Sequence, residues 1–225
     1  MSNPNQQQGQ NQQQGQRRMQ LSPMAQAVMT IRDIHSPLEQ FVIWADALNE
    51  EEIRDVISIG EMAEFQQGVV GGSSLNSDHV LDTEVRDNSI STVLPSEQTE
   101  WLYNRIQQIV SKVNYDKFQF DLGMFEILQY AKYKEGQFYD WHCDAGPNLG
   151  YHRKLSVVVG LTDPSEYEGG DFVINYNGNP DKCETIRLLP GQILIFPSWV
   201  PHKVTPVTSG ERVTLVTWVN GPKFR

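Results

Sequence analysis

Hydrophobic positions are almost absent from the start of the chain. "MSNPNQQQGQNQQQGQRRMQ" offers Gln, Asn and Gly in place of any apolar period. Such a segment buries too little apolar surface to offset the entropy lost on ordering, so residues 1–30 are expected to be a disordered Gln-rich tail. The texture then changes. "ALNEEEIRDVISIGEMAEF" reads as a helix, with Asn49 as N-cap, Glu52 three residues on and acids in the first turn. "GVVGGSSLNSDH" reads as a loop. "PSEQTEWLYNRIQQIVSKV" predicts a second helix, with Leu102, Ile106, Ile109, Val110 and Val113 on one apolar face. After Asn114 the pattern shortens. "MFEILQYAKY", "KLSVVVGL", "DFVINYN", "ETIRLL", "QILIF" and "RVTLVTWV" are strand candidates separated by Gly, Pro, Asp and Asn. Many short strands at regular spacing suggest a sandwich or barrel. The expected class is α+β with a mainly β core. Residues 31–115 form a helical support region of the same domain, and residues 116–225 form the β core.

Composition narrows the setting. A chain of 225 residues is long enough for one domain with a sizeable core. Lys and Arg number 18 against 28 Asp and Glu, a net charge of −10 that disfavours phosphate backbones while leaving a local basic groove open. Cys143 and Cys183 are the only cysteines, too few for a disulfide framework, which suits a reducing compartment. No apolar run approaches the ~18 residues of a membrane span, and no apolar leader is read at the N-terminus. A cytoplasmic protein without a membrane partner is expected.

The chemistry concentrates in "DWHCDAG", residues 140–146. If this stretch is extended, His142 and Asp144 share one face and Cys143 points away. One imidazole and one carboxylate begin a non-haem iron site, which needs a second histidine and open positions. By itself the pair also fits a reactive thiol or a polar turn. Of the other histidines, His35, His79, His152 and His202, the last follows a strong strand and a Pro-bounded turn, a place where a side chain can be aimed into a barrel mouth. A capping or surface histidine would look the same, and His152 is read as a surface residue. Arg212 opens "RVTLVTWV", where Arg212, Thr214, Val216 and Trp218 share one face and Val213, Leu215, Thr217 and Val219 the other. An arginine beside a threonine and a tryptophan suits a two-pronged grip on a carboxylate such as the far end of 2-oxoglutarate, with the hydroxyl assisting. The alternative is a strand-end arginine reaching solvent.

"YKEGQFYDWHCD", "EGGDFVI" and "PGQILIFPSWVPHKVTPVTSGERVTLVTW", in that order, resemble the prolyl 4-hydroxylase-like branch of the Fe(II)/2-oxoglutarate dioxygenases, nearest to its PKHD-type members. The resemblance covers residues 80–221, "VRDNSI" included. It implies a double-stranded β-helix, or jelly roll, with N-terminal supporting helices. It implies His142, Asp144 and His202 as iron ligands and Arg212 as the cation for the distal carboxylate of 2-oxoglutarate. Tyr133 matches a hydroxyl that helps hold that carboxylate, Ser156 a threonine lining the co-substrate pocket, and Trp218 an aromatic wall. Gly169 and Gly170 match a turn that needs small residues. The implied cofactors are Fe(II), 2-oxoglutarate, O₂ and ascorbate. The implied reaction is hydroxylation with release of succinate and CO₂, and the carboxylate of Asp144 favours it over halogenation. The implied substrate is a peptidyl proline in a protein or peptide partner. Competing readings are a cupin-like metal-binding module, which needs no Arg212, and an oxygenase of nucleic acids or small molecules. The acidic balance and the lack of another arginine between Arg212 and Arg225 oppose nucleic acid. Loops 71–92 and 145–152 carry no readable substrate code, and Tyr139 and Trp141 either line the entrance or pack.

Overall fold

The structure, a computed structural model, describes residues 40–70, 81–146, 152–176 and 178–222. The Gln-rich tail, His35, His79 and most of the loop at 68–79 lie outside the described residues. A short strand, β1 (Val42–Trp44), leads to helix α1 (Glu50–Met62). The helix starts where the sequence says it should. Asn49 Oδ1 accepts the Glu52 N–H at 2.9 Å, and Glu52 Oε2 accepts the Asn49 N–H at 2.9 Å, so two otherwise unpaired donors are satisfied reciprocally. Next come β2 (Gln66–Gln67), β3 (Arg86–Asp87), β4 (Ser89–Val93) and helix α2 (Glu100–Val113). The five apolar residues predicted for one face of α2 are its five buried residues.

The region 31–115, expected as a helical support, also contributes strands β1 to β4 among its described residues. Its longest strand, "SISTV", is polar at three of its five positions and carries little hydrophobic signal. Ser91 is buried because its hydroxyl donates to the Gly60 carbonyl of α1 at 2.7 Å, which removes the cost of hiding it.

The remaining strands are β5 (Leu128–Tyr133), β6 (Phe138–His142), β7 (Arg153–Gly160), β8 (Tyr167–Gly169), β9 (Phe172–Ile174), β10 (Glu184–Ile186), β11 (Ile193–Pro197), β12 (His202–Val204), β13 (Val207–Gly210) and β14 (Arg212–Asn220). They form a seven-stranded sheet in the order β1-β11-β7-β14-β5-β4-β2 and a five-stranded sheet in the order β10-β9-β12-β6-β3. A β13-β8 ribbon completes them. The named strands pair antiparallel throughout, as in the expected jelly roll.

Alternation along the large sheet sorts its residues into two cores. Leu155, Val157 and Val159 of β7, Ile193 and Ile195 of β11, and Val213, Leu215 and Val219 of β14 pack with the apolar faces of α1 and α2. Val158, Leu194 and Phe196 face the other way, toward Phe172, Ile174 and Val204 of the small sheet. The cavity described below opens between the two sheets. Residues Leu38–Arg225 form one compact unit. Among the described residues no helix is long and apolar enough to cross a membrane.

One contact fixes how closely α1 sits on the sheet. Gly60 lies against the ring of the fully buried Tyr130, and a Cβ there would stand 2.3–2.7 Å from three ring atoms. In an exposed helix interior, Gly→Ala gains about 1 kcal/mol. Here overpacking, typically about 1–3 kcal/mol, opposes it and reverses the sign. Gly60→Ala is expected to lower stability in urea denaturation; a stabilised variant would contradict this packing.

Candidate metal centre

His142 and His202 sit opposite each other where β6 pairs with β12. Two steps along β12, from His202 to Val204, span three along β6, from His142 to Tyr139, so β6 carries a bulge between them. Bulges re-aim side chains and free backbone groups. Here the Asp140 carbonyl accepts from His142 Nδ1 at 2.7 Å, and the Val200 carbonyl accepts from His202 Nδ1 at 2.9 Å. A carbonyl can only accept, so each Nδ1 carries the proton and each Nε2 presents a lone pair.

The chain leaves the strand after His142. The backbone N–H groups of Asp144 and Ala145 both donate to the Ser198 carbonyl, at 2.9 and 3.0 Å. This folds Asp144 back onto the histidines: its Oδ1 lies 3.6 Å from His142 Nε2 and its Oδ2 3.4 Å from His202 Nε2. One ligand atom from each of the three falls within 4.8 Å of the others. Strand alternation is thus not what brings His142 and Asp144 together, and Cys143 does not point away as expected. It lies outside the strand and lines the same cavity. Burial, and then the charge of Asp144, push its thiol pKa up, so it is not a thiolate at neutral pH.

Electrostatics suit a cation. Burial, followed by His202, draws His142 down to about 3, so its imidazole is neutral. Burial alone would raise the pKa of Asp144, but His202, His142, Arg153 and the Ser156 hydrogen bond outweigh it and hold the carboxyl at about 2, ionised. Tyr139 stacks on His142 with ring centres 3.5 Å apart, and Phe172 and Phe196 pack around His202. Two imidazole nitrogens and one carboxylate on one side of a shared point are the donor set of a non-haem iron site rather than of a closed zinc site.

The cavity beside this cluster measures about 270 Å³. Arg212, Thr214, Val216 and Trp218, the four residues that alternation put on one face of β14, all line it. Arg212 pairs across the ladder with Tyr133, its guanidinium carbon 5.4 Å from the centre of that ring. Arg212 is only 5% exposed, yet no described residue offers its guanidinium a carboxylate or a hydrogen bond. Thr214 Oγ1 and Trp218 Nε1 are also buried without hydrogen-bond partners among the described residues. A buried cation and two unmet polar atoms on one wall are costly alone, and a carboxylate guest would satisfy them.

Ser156 stands elsewhere than expected. It is absent from the cavity wall, and its hydroxyl lies 2.6 Å from Asp144 Oδ2, the carboxylate oxygen nearest His202 Nε2. His152 is a half-buried turn residue apart from the cluster. Two groups escaped the sequence reading. Arg153 and Glu126 form a buried two-pronged ion pair at 2.7 and 2.6 Å, with Arg153 stacked 3.7 Å from the centre of Trp218. Arg86, also buried in the wall, donates to Asn88 Oδ1 at 2.8 Å and the Val69 carbonyl at 2.9 Å. The available signal was a charge inside an apolar run, Glu126 in "MFEILQY" and Arg153 heading "RKLSVVVG".

Comparisons with known proteins agree with this geometry. Residues 128–220 match the sequence profile of the 2OG-Fe(II) oxygenase superfamily. A PKHD-type hydroxylase of Synechococcus sp. (strain CC9605) is 32% identical over 132 residues, 59% of this chain and 51% of that protein. The chain spans about half the length of the curated relatives it matches. Among solved structures, a Pseudomonas putida prolyl-4-hydroxylase superposes with a TM-score of 0.65 at 19% identity, covering 81% of this chain and 92% of that one. A Trichoplax adhaerens prolyl hydroxylase, in complex with a hypoxia inducible factor oxygen degradation domain peptide fragment, gives 0.66 at 18% identity, covering 80% and 83%. At such identities the structural likeness is one of fold. The matched profile spans the strands that bear Tyr133, His142, His202 and Arg212, and the sequence relatives of this stretch are PKHD-type hydroxylases.

Proposed function

We propose that this chain is an Fe(II)- and 2-oxoglutarate-dependent dioxygenase that hydroxylates a peptidyl proline and releases succinate and CO₂. The observation that carries the reading is the buried Arg212, which has no carboxylate or hydrogen-bond partner among the described residues, on the same cavity wall as two orphaned polar atoms and beside a three-ligand cluster. His142 Nε2, His202 Nε2 and a carboxylate oxygen of Asp144 hold the iron. When bound, the iron and 2-oxoglutarate supply the O₂ activation that places one oxygen atom in a substrate C–H bond. Arg212 grips the far carboxylate of 2-oxoglutarate with its planar fork. Tyr133 stands beside it, and Thr214 and Trp218 offer the hydroxyl and indole N–H that lack partners among the described residues. Val158, Phe172 and Val216 line the cavity and keep water from it. Ascorbate is the proposed reductant. The peptide held by the Trichoplax adhaerens neighbour supports a peptide substrate here.

The test is succinate formation with Fe(II), ascorbate and 2-oxoglutarate against proline-rich peptides, with the product identified by a mass gain of one oxygen atom. His142→Ala, Asp144→Ala and His202→Ala are each expected to abolish it; full turnover in any one would remove that residue from the centre. Arg212→Ala is expected to raise the apparent KM for 2-oxoglutarate by about 10- to 100-fold, the worth of a charge-assisted hydrogen bond. The same variant should leave the ligand-free protein as stable as the wild type or more so, since no partner is orphaned. An unchanged KM would cancel the role of Arg212. Cys143→Ala should keep turnover within about threefold, because a protonated thiol is a poor nucleophile; inactivity would revive a thiol mechanism.

A further inference from the structure

The two sheets contribute unequally to the metal centre. Both histidines lie on strands of the small sheet. Asp144 lies on neither sheet, and its carboxylate is tied to the large one. Ser156, in the middle of β7, stands opposite Phe196 of β11 and Trp218 of β14. Its Oγ lies 2.6 Å from Asp144 Oδ2 and 3.0 Å from Ser198 Oγ. Both serines are fully buried. Ser198 holds the other side of the same loop, because its carbonyl takes the Asp144 and Ala145 amides while its own N–H donates to the Lys154 carbonyl at 3.0 Å.

An ionised carboxylate can only accept, and the Ser156 hydroxyl is the donor in both contacts, with Asp144 Oδ2 at 2.6 Å the nearer acceptor and Ser198 Oγ at 3.0 Å the second. A hydroxyl bonded to a charge makes a short, strong contact. A free serine hydroxyl has three staggered rotamers, and the two contacts together select one.

We propose that Ser156, with Ser198 beside it, is a positioning residue that holds the Asp144 carboxylate in place as a metal ligand. Its hydroxyl is bonded to Oδ2, the oxygen 3.4 Å from His202 Nε2, so it fixes the carboxylate toward the histidines while each carboxylate oxygen keeps a lone pair for an ion. The inference rests on the iron reading proposed above and adds to it a role that neither serine performs by touching substrate or metal.

The test uses the full chain and Co(II) as the metal probe, without co-substrate. Binding is followed by visible ligand-field absorption, which reports affinity and coordination together. Wild-type protein and His202→Ala establish the centre first: if the wild type shows no saturable binding that His202→Ala removes, the iron reading fails and this inference falls with it. If the centre is present, Ser156→Ala is expected to weaken Co(II) binding by roughly 10- to 100-fold, as loss of a ligand's outer hydrogen bond does, and to shift the absorption band. Ser198→Ala should change both in the same direction by less. Ser156→Thr restores the hydroxyl on a strand position that suits a β-branched residue, and should return both values to within about threefold of wild type. A merely structural serine would lower the thermal midpoint of the metal-free protein and leave the Co(II) constant and spectrum alone. Ser156→Ala with wild-type affinity and spectrum would overturn the proposal. If that variant fails to fold, an unchanged Ser198→Ala spectrum would overturn it in the same way.

Discussion

A strand that slips by one residue against its neighbour exchanges its two faces, and this molecule can tolerate no such slip between β6 and β12. Their register sets His142 directly across from His202, and β9 pins His202 from the other side through Ile174. The bulge in β6 frees the Asp140 carbonyl to receive the His142 ring proton. Backbone geometry therefore decides which nitrogen faces the centre. Asp144 reaches the same point by another route, with its amide held by Ser198 and its carboxylate by Ser156. The centre exists only where the two sheets are correctly faced.

That facing has an electrostatic cost. An ionised Asp144 and an Arg212 with no carboxylate partner among the described residues are both buried in the wall of one cavity. The Arg153–Glu126 pair nearby shows the other solution, with both charges buried, bonded in two places and joined by Asn220. Arg153 has its carboxylate partner within the protein, whereas no described residue offers Arg212 a carboxylate or a hydrogen bond. Groups left unmet in the free protein are where a ligand returns the most stability on binding.

The parts that were legible in the sequence obey a repeating rule. The α2 face follows the helical period, the Asn49–Glu52 cap follows a local motif, and the two faces of β14 follow period two. The set of His142, Asp144, His202 and Arg212 became readable from the order of its motifs, not from any one residue. The parts that were not legible depend on tertiary partners. "SISTV" enters the sheet because a helix carbonyl receives Ser91. Cys143 turns into the cavity because Ser198 ends the strand early. Ser156 faces Asp144 rather than the pocket, and Glu126 meets Arg153 across a gap in sequence that no spacing rule bridges.

The central claim is that one ion and one carboxylate guest share this cavity, held by residues from opposite sheets. It is tested most directly by a crystal structure grown without oxygen in the presence of Mn(II) and 2-oxoglutarate, with the metal located by its anomalous scattering. The account predicts one strong peak bonded to His142 Nε2, His202 Nε2 and a single oxygen of Asp144, with the far carboxylate of 2-oxoglutarate on Arg212. A peak elsewhere, or 2-oxoglutarate bound away from Arg212, would contradict it.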